Sequence, residues 1–115
     1  MFRLRWTQSA EETYAEMKAR AEATLANRKR SGKRKSSRQE GLFKQVHKCV
    51  RLLAENPKHP GLQTHEYHSL PHPYHSSEKV FEAYAQQNTP GAYRVFWCYG
   101  PDKGEITIIA ITPHP

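Results

Sequence analysis

Apolar side chains occupy every second position of the opening FRLRW, with Phe2, Leu4 and Trp6 on one face, and this alternation predicts a strand. From Ser9 the period lengthens. Ala10, Tyr14, Met17, Ala21 and Leu25 recur at steps of three and four, so one stripe of a helix faces a core while Glu, Lys and Arg face water. Ser9 and Glu12 have the spacing of a capping box, which starts this helix at Ser9 and carries it to about Arg30, before Gly32. Leu42, Phe43, Val46, Cys49, Val50 and Leu53 restore helical spacing from Gln39 to Glu55, and Asn56-Pro57 ends it. The two helices are expected to lie side by side as a hairpin.

After Pro60-Gly61 the pattern is strand-like. LQTHEYHSL, KVFEAYAQ, AYRVFWCY and EITIIAIT are parted by the turn-rich HPYHSS, QNTPG and GPDKG. One strand, two helices and three or four further strands in a meander predict an α+β fold. Its antiparallel sheet, of about four strands, carries the N-terminal helical hairpin on one face in the order β-α-α-β-β-β.

Composition narrows the setting. A chain of 115 residues is expected to form one domain, 1–115, able to bury a core without staples. Cys49 and Cys98 sit inside apolar patterns and read as buried free thiols of a reducing, cytoplasmic compartment. No apolar run approaches the roughly 20 residues of a membrane span, and the N-terminus lacks a secretory core.

Charge changes the picture more. Lys and Arg number 18 against 11 acids, a net +7, which suits a polyanionic partner. The excess is concentrated in RKRSGKRKSSR at the hairpin turn, about 28–38, where Arg28, Lys29, Arg30, Lys33, Arg34, Lys35 and Arg38 meet no acid. Such a run is either a solvated turn or a grip on RNA phosphates, giving affinity without sequence choice.

Several stretches resemble recurring segments of the RelE/ParE toxin superfamily. LLAENPKHPGLQTHEY resembles that family's helix stop and following strand, KVFEAY with AYRVFWCY its paired strands, and EITIIAITPHP its last strand, which leads to a basic or His residue. The resemblance covers nearly the whole chain. It implies a type II toxin held by a cognate antitoxin, of the branch that cleaves messenger RNA on the ribosome. In that reaction the ribose 2′-hydroxyl attacks the adjacent phosphate without a metal or other cofactor, and no small-molecule substrate is implied.

Such chemistry needs cationic stabilisation of the pentavalent phosphate and proton transfer to and from oxygen. Strand parity puts Tyr93, Val95, Trp97 and Tyr99 under the helices and Arg94, Phe96 and Cys98 on the open face. Glu82 and Tyr84 of KVFEAY share that open face, so Glu82 and Arg94 can be neighbours. Arg94 matches the family's strand arginine. Tyr84 stands where active members commonly place another arginine, and His114 matches the residue that completes the site. The carboxylate of Pro115 would favour the acid form of His114. The expected catalytic set is Arg94, His114, Glu82 and Tyr84, set against an ordinary cross-strand ion pair of Arg94 with Glu82.

Four more histidines, His65, His68, His72 and His75, crowd THEYHSLPHPYH. Without a nearby Cys or a helical pair they read as solvated loop residues rather than zinc ligands. Two other functions remain open: a ParE-like inhibitor that binds gyrase, and a silent interaction module for an antitoxin-like partner. Only the nuclease would yield cut message in the presence of ribosomes.

Overall fold

A computed structural model describes residues 1–33, 35, 37–87 and 89–114. The chain runs β1 (Arg3–Trp6), α1 (Gln8–Arg30), α2 (Arg38–Glu55), a 3-10 turn (Pro60–Leu62), β2 (His65–Tyr67), β3 (Val80–Tyr84), β4 (Tyr93–Tyr99) and β5 (Glu105–Pro113). The sheet has five strands in the order β1-β5-β4-β3-β2. The last four form the expected antiparallel meander. β1 differs: it lies parallel to β5, Arg3 opposite Glu105 and Trp6 opposite Ile108, which makes the sheet mixed. Parallel partners need a long crossover, and here the whole intervening chain supplies it.

Both helices pack on the same face, as their apolar stripes predict. Val46, Cys49, Val50 and Leu53 of α2 and Ala10 of α1 meet Ala83, Val95, Trp97, Ile106, Ile108 and Ile111 of the sheet in one core, with Phe2, Leu4 and Trp6 packed at its side. The Cys49 and Cys98 thiols are free and buried. Among the described residues no helix is long and apolar enough to cross a membrane.

The capping box expected at Ser9 and Glu12 does not form. α1 begins one residue earlier, capped by Thr7, whose Oγ1 accepts from the Ala10 amide at 3.1 Å. The same hydroxyl donates to the Ile109 carbonyl of β5 at 2.6 Å. Thr7 therefore satisfies two buried-side partners where Ser9 could satisfy one, and the sheet contact decides the start of the helix. A capping box does open α2. Ser37 Oγ accepts from the Glu40 amide at 3.2 Å while the Ser37 amide donates to Glu40 Oε2 at 2.7 Å.

Ile109 is the extra residue of a β-bulge. Trp97 pairs with Ile108, but its neighbour Phe96 pairs with Ala110, so the alternation of β5 reverses at this point. Ile106 and Ile108 face the helices before the bulge, and Ile111 does after it. Thr112 opposite Arg94 consequently points to the other face, and His114 follows it there.

That other face is not wholly open. The connection between β2 and β3 folds over its lower half: Tyr74 Oη hydrogen-bonds to Thr107 Oγ1 at 3.0 Å, and the Tyr67 ring covers Phe96 with centroids 4.7 Å apart. His72 staples this connection. Its Nδ1 accepts from the Tyr74 and His75 amides, which leaves Nε2 to donate to the Tyr99 carbonyl at 3.1 Å. Phe96, Cys98 and Thr107 are buried as a result. The upper end, at Tyr84, Thr112 and His114, keeps an accessible rim.

Candidate functional site

At this upper end the structure brings Glu82, Tyr84, Arg94 and His114 together. Glu82 forms the floor, only 1% exposed. Its Oε2 lies 2.9 Å from His114 Nδ1 and 3.9 Å from Arg94 Nε. A carboxylate oxygen is an acceptor, so Nδ1 of His114 carries hydrogen in this contact. The main chain fixes the imidazole, because the His114 amide donates to the Ala92 carbonyl at 2.8 Å. Pro115, whose carboxylate was expected to act on His114, lies outside the described residues.

Arg94 is 8% exposed and held from three sides. Nη1 donates to the Gln86 carbonyl at 2.7 Å, and the guanidinium lies over the Tyr84 ring, 3.7 Å from its centroid. Nε is buried with no hydrogen-bond partner among the described residues. A buried guanidinium N–H without an acceptor is costly. The cross-strand ion pair with Glu82 exists, but at 3.9 Å it is too long to be a hydrogen bond. Tyr84 spends one ring face on Arg94, which gives it a supporting role toward the guanidinium.

Sequence reasoning missed His65. It belongs to β2, directly opposite Glu82, and its Nε2 is 2.6 Å from Glu82 Oε1. Pairing HEY antiparallel with VFEAY would have found it, since register partners project from the same face. The other three histidines do not join it: His72 is the buried staple, and His68 and His75 are exposed. Among the described residues no group of three His, Cys, Asp or Glu could hold a metal ion.

The basic run lies toward the same end. α2 finishes beside the start of β1, where the Ala54 carbonyl accepts from the Phe2 amide at 2.7 Å, and its Gln45 accepts from Gln86, the residue whose carbonyl holds Arg94. The first turns of α2 therefore project past the rim, carrying the hairpin turn with them. Lys29, Arg30, Lys33, Lys35 and Arg38 are exposed there. Arg28 is not a free cation. Its Nε and Nη2 donate to the Glu40 carboxylate, at 2.8 Å for Nη2, and hold that carboxyl well below its usual range, at about 2. Arg34 lies outside the described residues.

A helical hairpin on one face of a five-stranded mixed sheet is an architecture also found among solved structures. Among solved structures the chain is similar to the YoeB/ParE toxin from Agrobacterium tumefaciens, with a TM-score of 0.62 over 98% of this chain and 99% of that one. At 9% identity the likeness is one of fold. No family model and no curated protein matches the sequence.

Proposed function

We propose that this protein is the toxin of a toxin–antitoxin pair, and that it acts as a ribosome-dependent endoribonuclease restrained by a cognate antitoxin. The observation that carries the reading is the Glu82–His114 couple beside the buried, partly unpaired guanidinium of Arg94. The 2′-oxygen of a ribose attacks the neighbouring phosphorus and loses its proton to water. The bond from phosphorus to the 5′-oxygen breaks, and that oxygen takes a proton from Nε2 of the doubly protonated His114 ring, which is left as the neutral Nδ1–H imidazole facing Glu82. Arg94 meets the charge that grows on the phosphoryl oxygens. Glu82 sits behind the imidazole and acts by orienting it, as a buried carboxylate orients the histidine of a hydrolase triad. Lys29, Arg30, Lys33, Lys35 and Arg38 supply sequence-independent attraction to ribosomal RNA.

A translation extract tests the proposal. Added protein should cut message only when ribosomes are present, leave 2′,3′-cyclic phosphate ends, and be unaffected by chelators. A ParE-like action on gyrase is the second reading, since the toxin of similar fold carries both names. Uncut message together with inhibited DNA supercoiling would select it.

A further inference from the structure

The Glu82 carboxylate has two oxygens, and the proposed cleavage uses one. The other, Oε1, is 2.6 Å from Nε2 of His65, while Nδ1 of the same ring lies 3.2 Å from the Gln63 carbonyl oxygen. Both neighbours are acceptors. Nδ1 can donate to the Gln63 carbonyl, which sets the ring with its Nε2 against the buried carboxylate. Its ring also meets Tyr84 edge-on, with centroids 5.7 Å apart, and Tyr84 supports Arg94 from beneath. The titratable groups in contact with His65 are thus Glu82 and Tyr84 from β3, and these two in turn meet Arg94 and His114.

We propose that His65 is a positioning residue of the site: by holding Oε1 it fixes the Glu82 carboxylate so that Oε2 orients His114, and through Tyr84 it steadies Arg94. This rests on the endonuclease reading for its effect on rate, though not for the geometry it asserts. Two contacts of different strands depend on one side chain. A carboxylate released from His65 is free to turn about its last torsion, a broad rotor, toward Arg94 Nε only 3.9 Å away. His114 would then lose the acceptor that sets its tautomer.

His65→Ala and His65→Gln separate positioning from mere packing, because the Gln amide can return one donor toward Oε1. With the full chain on programmed ribosomes, His65→Ala should lower kcat about tenfold to a hundredfold, leave KM for ribosomes unchanged, and be largely rescued in His65→Gln. Nitrogen-15 chemical shifts of His114 should report a ring with hydrogen on Nδ1 in wild type and in His65→Gln, and a mixture of tautomers in His65→Ala. Unchanged cleavage by His65→Ala would overturn the proposal, as would equal losses in both variants with a matching fall in Tm. If the wild-type protein cuts no message, the endonuclease reading fails, and the His114 shifts alone then decide: a tautomer change in His65→Ala supports the positioning role, and its absence refutes it.

Discussion

Glu82 of β3 and His114 beyond β5 stand 32 residues apart in the chain, yet Oε2 of the first is 2.9 Å from Nδ1 of the second. Two features make the contact. Antiparallel pairing of β3 with β4 and of β4 with β5 stacks Glu82, Arg94 and Thr112 on one face, and the bulge at Ile109 returns the chain's end to that face. Without the extra residue His114 would share the parity of Ile106 and Ile108 and turn toward the helices.

His114→Ala should therefore slow RNA cleavage on the order of a hundredfold to ten-thousandfold as lost acid catalysis, with Tm nearly unchanged, because the side chain is half-exposed. Arg94→Ala should also cost rate, about a hundredfold or more. It should lower stability as well, contrary to what a fully open face would imply. Its removal strips the Gln86 carbonyl of a charged donor and uncovers Tyr84, an expected loss of about 1–3 kcal/mol. Single-turnover cleavage and urea unfolding of the two variants would check both effects. An Arg94→Ala protein that is destabilised yet cleaves at the wild-type rate would make Arg94 a purely structural cation.

The hairpin turn divides by function. Replacing Lys29, Arg30, Lys33, Lys35 and Arg38 by Gln should weaken binding to ribosomes and flatten its dependence on salt, by a slope of about 0.7 to 0.9 for each phosphate left without its cation, with Tm held. Arg28→Gln should do the reverse. It should loosen the hairpin while changing the salt slope little, because its guanidinium is already engaged by Glu40.

Acid should attack the same clamp. Arg28 first, and then the Ser37 amide, hold the Glu40 carboxyl at about 2, against an ordinary value near 4.5. The folded value is depressed, so the stabilisation is fully present above about 4.5 and disappears as pH falls through that window to about 2. Wild type minus Glu40→Gln, compared by urea midpoint from about pH 6 to about pH 2, should shrink toward zero across that interval. A difference constant with pH would remove Glu40 as its source.

Both thiols should be inert in the folded protein. Burial pushes Cys49 up to about 12 and Cys98 up to about 11, so the reactive thiolate is scarce at about pH 8. Iodoacetamide should leave native protein unlabelled and modify both cysteines after denaturation, as mass spectrometry would read directly.

Local period alone was enough to lay out the elements and their faces. The steps of three and four from Ala10 to Leu25 and from Leu42 to Leu53 place two helices with one apolar stripe each, and the alternation of AYRVFWCY divides Val95 and Trp97 from Arg94 and Phe96. From that parity Glu82 and Arg94 fall on one face. Whatever needed a distant partner was settled only on folding. Ser9 and Thr7 are both competent caps, and the Ile109 carbonyl selected Thr7. β1 has no local signal for a parallel neighbour, and packing of Phe2, Leu4 and Trp6 against the common core set it beside β5. His65 looks like its loop neighbours in sequence, and only the register of β2 against β3 put it on Glu82. A strand's period survives in the chain as composition, whereas register and bulges are settled by hydrogen bonds between segments that sequence distance keeps apart.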